Sequence, residues 1–254
     1  SVLGGIFSNI SQNESILLEE NNGNLVIKTK KNQIKLKCQP CDDFPTIPKV
    51  AGVLFEVESK NIINGIKSVY YSSSPSDIKP EISSVFIYSN EDKLVFVSTD
   101  SFRLAEKKVK IKKIDDVLGI LIPFKNIPEI LRIFGDYVGI IEICFNKNQI
   151  SFSAENIYLT SRVIDGVFPD YRQIIPKNSE TTAVVLKQDL LNALKLSNIF
   201  SDKFNQINLT IKPKEKIFEL SSTNNDVGEN KTHLDAALEG EDVTLGFNYK
   251  YFLD

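Results

Sequence analysis

Apolar and polar residues alternate over 25–29 and again over 33–37. Leu25, Ile27 and Thr29 share one face, Ile34 and Leu36 another, and a Lys-Lys-Asn turn joins the runs. Alternation of this kind predicts a half-buried antiparallel hairpin. The period changes over 58–71, where Ile62, Ile63, Ile66, Val69 and Tyr70 recur at helical spacing and a Ser-Ser-Ser-Pro-Ser-Asp run ends the segment. Strands are expected over 82–89, 93–99 and 103–111, and a short one ends at Leu121 and Ile122. A second helix is expected over 124–134, with Ile127, Ile130, Leu131 and Phe134 inward. Strands over 138–145, 149–154 and 157–164 follow, then a helix over 187–199. Strands over 206–212, 216–222, 231–237 and 241–246 come next, and 248–254 reads as the start of another helix.

These elements repeat. Val57–Val69 (VESKNIINGIKSV) returns as Val185–Ser197 (VLKQDLLNALKLS) with its apolar positions in step, and Phe44-Pro45 returns as Phe168-Pro169. The repeat spans about 125 residues and marks an architecture built by repetition. Each domain alternates one helix with about three antiparallel strands, twice over, which is an α+β arrangement. A turn-rich stretch around Pro45, Pro48 and Gly52 is a candidate domain boundary. The phase of the repeat predicts an array cut at both ends. The absence of methionine, even at position 1, likewise reads as an internal fragment.

Composition narrows the chemistry. The 254 residues carry a net charge of −3, so a nucleic-acid partner would have to meet a local positive surface. No apolar run approaches the roughly 20 residues a membrane helix needs. The three cysteines, Cys38, Cys41 and Cys144, are an odd, sparse set that fits a reducing compartment better than a disulfide framework. Cys38 and Cys41 supply half a zinc site, but Cys144 and His233 have no neighbouring ligand to complete it, so no metal is expected. One histidine is a poor inventory for nucleophilic catalysis. Phosphate-binding glycine patterns are absent, and neither catalytic residues nor a cofactor is expected. Lys107, Lys108, Lys110, Lys112 and Lys113 read as a solvated edge strand.

The helices carry a more pointed pattern. Lys60 and Lys67 are two turns apart, as are Lys125 and Arg132, so each pair forms a stripe away from the apolar face. Lys187 and Lys195 add to this on the third helix. On any one helix a solvated face explains the lysines, but recurrence on corresponding helices raises the alternative of a positive surface that touches a phosphate backbone without reading sequence.

Two further runs are specific. Thr99-Asp100-Ser101-Phe102-Arg103-Leu104-Ala105 and Asp165-Gly166-Val167-Phe168-Pro169-Asp170-Tyr171-Arg172, with Gly246-Phe247-Asn248 and Tyr251, resemble motifs of the bacterial DNA polymerase III beta subunit family, the replicative sliding clamps. The resemblance runs through the whole chain in order. It implies a fold of repeated clamp half-domains, antiparallel sheets outside and helices lining one face. Residues 1–47 would be the second half of a first domain, 48–176 a complete middle domain and 177–254 the first part of a third. It further implies a non-enzymatic processivity factor in the bacterial cytoplasm, working as a homodimeric ring when full length. Such a ring encircles double-stranded DNA without sequence preference, with Lys60, Lys67, Lys125, Arg132, Lys187 and Lys195 as candidate lining. Polymerase, clamp loader and repair proteins would dock by short linear peptides, bearing a glutamine and large apolar side chains, in a cleft between the middle and last domains. The matching cleft positions are Ile82, Thr99, Ser101, Phe102, Arg103, Leu104, Pro169, Gln173, Ile174, Phe204, Asn248 and Tyr251. Ser101 and Phe102 stand where the family carries Gly-His, implying a bulkier cleft floor, and Gln173 stands where it often carries Arg. The alternative is a β-rich peptide-binding adaptor with no DNA role.

Overall fold

The computed structural model describes residues 2–11, 13–40, 42, 44, 46–47, 49–112 and 119–253. Cys41, Pro45, Pro48 and Lys113 lie outside them. The chain divides into two compact units, Ser1–Lys49 and Val50–Asp254.

The first unit begins with α1 (Val2–Phe7), followed by β1 (Leu17–Asn21), β2 (Asn24–Lys28) and β3 (Gln33–Lys37). The strands form a three-stranded antiparallel sheet in chain order. Ile27 pairs with Ile34 and Leu25 with Leu36, in the register the alternation demands. β1 was not expected, because its Leu-Leu-Glu-Glu-Asn sequence does not alternate and it is largely exposed.

The second unit opens with β4 (Val53–Glu58) and α2 (Ser59–Lys67). Then come β5 (Ser84–Asn90), β6 (Lys93–Thr99), β7 (Leu104–Lys110) and β8 (Gly119–Pro123). A 3-10 turn at Phe124–Asn126 leads into α3 (Ile127–Phe134), followed by β9 (Ile140–Phe145), β10 (Gln149–Ala154) and β11 (Ile157–Arg162). The pattern restarts with β12 (Thr181–Val185), α4 (Lys187–Ile199), β13 (Gln206–Lys212), β14 (Ile217–Asn224) and β15 (Gly228–His233). β16 (Ala236–Gly240), β17 (Val243–Asn248) and α5 (Lys250–Leu253) complete it. The expected strand 231–237 therefore breaks in two. Leu234 donates its N–H to Phe218 O at the end of β15, and β16 then pairs with β12 rather than with β14. Gly240 makes that last pairing possible. It sits at φ +105, and a Cβ there would lie 2.0 Å from Glu180 O.

The half-units β4–β7 and β8–β11 each lend their leading strand to the other. The sheet orders are β7-β6-β5-β8 and β11-β10-β9-β4, so β4 joins the strands that follow α3, and β8 joins those that follow α2. β15-β14-β13-β17 repeats the first of these orders. β4 escaped the sequence reading because its Val-Leu-Phe-Glu-Val-Glu alternation directly follows the Pro- and Gly-rich connector.

The main core lies between these two sheets and the helices. Ile62, Ile63, Ile66 and Val69 meet Ile127, Ile130 and Phe134 over Val85, Ile87, Leu94 and Phe96 of one sheet and Ile141, Ile143, Ile150 and Phe152 of the other. Ser59 ties the helices together: its N–H reaches Gly139 O (2.8 Å) and its hydroxyl reaches Phe134 O (3.3 Å). The opposite face of the β5–β8 sheet is covered too. Tyr88, Val95, Val97 and Leu121 pack beneath Phe168 and Tyr171. β6 is therefore buried on both faces. β7 is the edge strand, as the lysine run implies; Lys108 pairs with Glu106 (2.8 Å) and Lys110 with Asp92 (3.6 Å).

α2 ends at Lys67, short of the expected 71, and a 3-10 turn takes over at Tyr70–Ser72. Within α2, Gly65 lies against the Phe96 ring, where a Cβ would come within 2.3 Å of Cε2. Gly65→Ala should therefore destabilise the protein, although alanine favours helix by about 1 kcal/mol. Overpacking a fully buried ring costs about 1–3 kcal/mol, and a lower denaturant midpoint than that of the unaltered protein is the expected result.

Candidate functional site

The turn between β6 and β7 is built by its own side chains. Asp100 Oδ1 accepts the N–H groups of Phe102 (2.9 Å) and Arg103 (3.0 Å). Thr99 Oγ1 accepts the Ser101 N–H (3.1 Å), and its hydroxyl donates to Arg103 O (2.7 Å). Ser101 is left at φ +78, a left-handed conformation that glycine adopts without strain. The turn throws Phe102 outward, 81 % exposed.

Arg103 emerges from this turn between two aromatic rings. Its guanidinium lies 5.5 Å from the Tyr71 ring centroid and 4.8 Å from that of Tyr251. It also donates to Asp100 Oδ2 (3.1 Å) and to Tyr71 O (2.6 Å). The helical spacing predicts Tyr71 in the last turn of a helix, whereas α2 ends at Lys67 and Tyr71 lies in the 3-10 turn that faces Arg103. Around Tyr251, Asn248 caps α5 by accepting the Lys250 N–H (3.0 Å) and donates to Phe204 O (3.2 Å). Asp202 Oδ1 accepts the N–H groups of Phe204 (2.9 Å) and Gln206 (3.2 Å), fixing the turn that leaves Phe204 66 % exposed. Thr99, Ser101, Phe102 and Arg103 are thus joined through Tyr251 to Asn248 and Phe204.

Leu104, Phe168 and Tyr171 share one apolar cluster. That cluster seats Pro169 and the 3-10 turn Tyr171–Gln173, beyond which Ile174 is 69 % exposed. Gln173 Nε2 donates to Asp170 Oδ2 (2.7 Å). Ile82 differs from these exposed apolar residues: it is buried ahead of β5, and its carbonyl accepts the Ser74 N–H (3.0 Å).

Beneath the turn runs a polar chain that sequence reasoning missed. Arg172 donates to Tyr88 Oη (2.7 Å), the Tyr88 and Tyr171 hydroxyls are 2.8 Å apart, and Tyr171 donates to Glu106 Oε2 (2.6 Å). Since Tyr171 spends its proton on Glu106, Tyr88 must donate to Tyr171, so each hydroxyl donates once and accepts once. Burial and these hydrogen bonds push the Tyr171 phenol well above its ordinary range. Burial pushes the Glu106 carboxyl up, but hydrogen bonds from Lys108 and Tyr171, with the charges of Lys108 and Arg172, outweigh it and hold the group below the usual 4.5. The one sequence signal for Tyr88 was its place beside Phe86 on the non-core face of β5.

The candidate cations are all exposed. Lys60 and Lys67 border one groove of about 530 Å³ with Asn64 between them, so they do form a stripe. Lys125 departs from its expected place. It lies in the 3-10 turn before α3, where the helical spacing to Arg132 does not apply, and it pairs with Asp77. Arg132 is held by Glu129 (2.6 Å). Among the described residues, Lys60, Lys67, Lys187 and Lys195 have no ion-pair partner. The remaining candidates from the sequence lie apart. Cys38 is exposed, Cys144 approaches Val50 O from β9 (3.3 Å), and His233 is 3.4 Å from Glu219 on the exposed side of β15.

Comparison with known proteins now identifies the class. Residues 56–170 match the model of the DNA polymerase III beta subunit central domain, and residues 172–254 match that of its C-terminal domain. The beta sliding clamp of Bacillus subtilis strain 168 is 28 % identical over 234 residues, spanning 90 % of this chain and 62 % of that protein. That of Streptococcus pneumoniae is 28 % identical over 233 residues, spanning 91 % and 62 %. Among solved structures, the Bacillus subtilis sliding clamp superposes with a TM-score of 0.89 at 25 % identity, over 99 % of this chain and 67 % of that one. The Bartonella birtlesii sliding clamp, solved bound to griselimycin, gives 0.91 at 26 %, over 100 % and 69 %. The chain belongs to the DNA polymerase III beta subunit family. It spans about three fifths of the length of the curated relatives it matches.

Two outcomes follow from the geometry. Ser101→Gly should raise stability by about 0.5–1 kcal/mol, since it relieves a left-handed serine at some entropic cost; a shift of the denaturant midpoint reads this. Glu106→Gln should lower stability at neutral pH by about 1–2 kcal/mol, as it removes charge-assisted hydrogen bonds. Because the folded carboxyl titrates below its unfolded value, its contribution is present above pH 4.5 and lost as pH falls through the folded pKa. Denaturation curves of the two proteins should converge as pH falls below 4.5.

Proposed function

We propose that this chain is part of a DNA sliding clamp: a processivity factor without catalytic residues of its own, which encircles duplex DNA and tethers polymerase and other enzymes through a peptide-binding cleft. The observation that carries this reading is the family match across both clamp domains, together with solved clamps at 25 % identity or more that superpose over nearly the whole chain. The family assignment also supports the coarser reading that the chain is an accessory factor rather than an enzyme.

DNA is met by the helix faces. A clamp that slides needs diffuse attraction to phosphates and no grip on bases, which scattered exposed cations supply. Lys60, Lys67, Lys187 and Lys195, lacking ion-pair partners among the described residues, are the first contributors. Lys125 and Arg132 first give up Asp77 and Glu129, a small cost for exposed pairs. A net charge of −3 then belongs to the rest of the surface.

The cleft lies around Arg103, Tyr251, Phe204 and Ile174, where exposed apolar side chains surround a few polar anchors. Such a lining suits a short peptide with large apolar side chains. A homodimeric ring and a bacterial cytoplasmic location complete the proposal. No helix among the described residues is long and apolar enough to cross a membrane.

The test is the salt dependence of duplex binding. Replacing Lys60 and Lys67 together with alanine should weaken binding uniformly across sequences. It should also reduce the slope of log affinity against log salt by about 1 for each lysine. Unchanged DNA affinity and slope, with peptide binding retained, would favour the adaptor instead.

A further inference from the structure

The relay beneath the cleft has two features that a packing role does not require. It is charged at both ends, with Arg172 at one and Glu106 at the other, and its inner hydroxyls belong to different segments of the chain. Tyr88 stands on β5 and Glu106 on the edge strand β7, whereas Tyr171 and Arg172 stand on the 3-10 turn that ends at Gln173 and leads directly to Ile174. The Arg172 guanidinium also lies over the Tyr88 ring, 5.1 Å from its centroid. The turn is otherwise short and its far end is exposed: Ile174 is held by one backbone bond, its N–H to Tyr171 O at 3.1 Å. Without the relay, the apolar seat of Phe168 and the Tyr171 ring would fix depth but not rotation, because apolar contact is non-directional. Hydrogen bonds between charged and hydroxyl groups impose direction, and a chain of them polarises its members cooperatively.

We propose that Tyr171 and Arg172 are positioning residues: through Tyr88 and Glu106 they lock the 3-10 turn onto the β5–β7 sheet and so set Gln173 and Ile174 at a fixed place relative to Arg103 and Leu104. The inference rests on the peptide-cleft reading above and assigns that site a support lying outside it. Leu104, which begins β7, packs in the same cluster as Tyr171, so both walls of the cleft are referred to one sheet. A ligand arriving at the cleft then finds its contacts already arranged, and preorganisation of this kind raises affinity by lowering the cost of ordering.

The experiment uses the whole chain and two readouts. The first is hydrogen exchange at the Ile174 amide, which needs no ligand. Tyr171→Phe should speed this exchange at least several-fold, while amides of β13 and α4 keep their rates. The second is the affinity of a labelled synthetic peptide carrying one glutamine and two large apolar side chains. Tyr171→Phe should weaken binding about threefold or more. Combined with Ile174→Ala it should be non-additive, and combined with Phe204→Ala additive, as expected when only the first pair shares a structural element. Tyr88→Phe breaks the same relay from the β5 side and serves if Tyr171→Phe does not fold. Unchanged Ile174 exchange in a folded variant overturns the proposal, as does additivity of Tyr171→Phe with Ile174→Ala. If the unaltered protein does not bind the peptide, the cleft reading fails instead, and the exchange result alone decides whether the turn is locked.

Discussion

Burial of β6 on both faces is the constraint from which the packing of β4 to β11 follows. Its Lys-Leu-Val-Phe-Val-Ser-Thr sequence leaves only the first residue exposed. Leu94 and Phe96 must find the helices, and Val95 and Val97 must find something else. That something is the Phe168–Tyr171 segment, which has to return across the sheet after β11. Full burial of aliphatic and aromatic side chains is worth about 1.5–3 kcal/mol each, so this return is strongly driven. It brings Phe168 and Tyr171, and with them the 3-10 turn, against Leu104, the residue after Arg103. The place of the 3-10 turn is thereby a by-product of covering a strand.

Much of the fold was legible because its periods are clean. The helix over 187–199 and the strands over 93–99, 149–154 and 206–212 stand where the pattern put them. The misses share a cause: nothing local reveals a partner that is distant in sequence. β4 and β12 owe their pairing to β9 and β16, and their own residues follow directly on turn-rich stretches. The break between β15 and β16 is set by Gly240 and by the pairing with β12, neither visible as a period.

The site was legible to a different degree. Motif resemblance singled out Arg103, Phe204 and Tyr251, but not Tyr71, whose contact with Arg103 depends on where α2 stops. It found Tyr171 and Arg172 as letters of a motif, while their partners Tyr88 and Glu106 lie 83 and 65 residues away from Tyr171 in a sheet register no local pattern supplies. The helix cations were visible as spacing, but the ion pairs of Lys125 and Arg132 were not, since Asp77 lies outside any helix and Lys125 itself sits in a tighter turn.

The exchange of leading strands between the two half-units bears on how this domain assembles. β4 cannot pair until β9, some eighty residues later, has been made, and β8 must meanwhile find β5. Neither half can finish its sheet alone, so contacts of long sequence separation come before full stabilisation. Chains with such topologies pay loop-closure entropy early and acquire their structure slowly. The same interlock works in reverse. Pulling one half away would unzip two sheets at once, so the domain should open as a single cooperative block rather than by shedding an end.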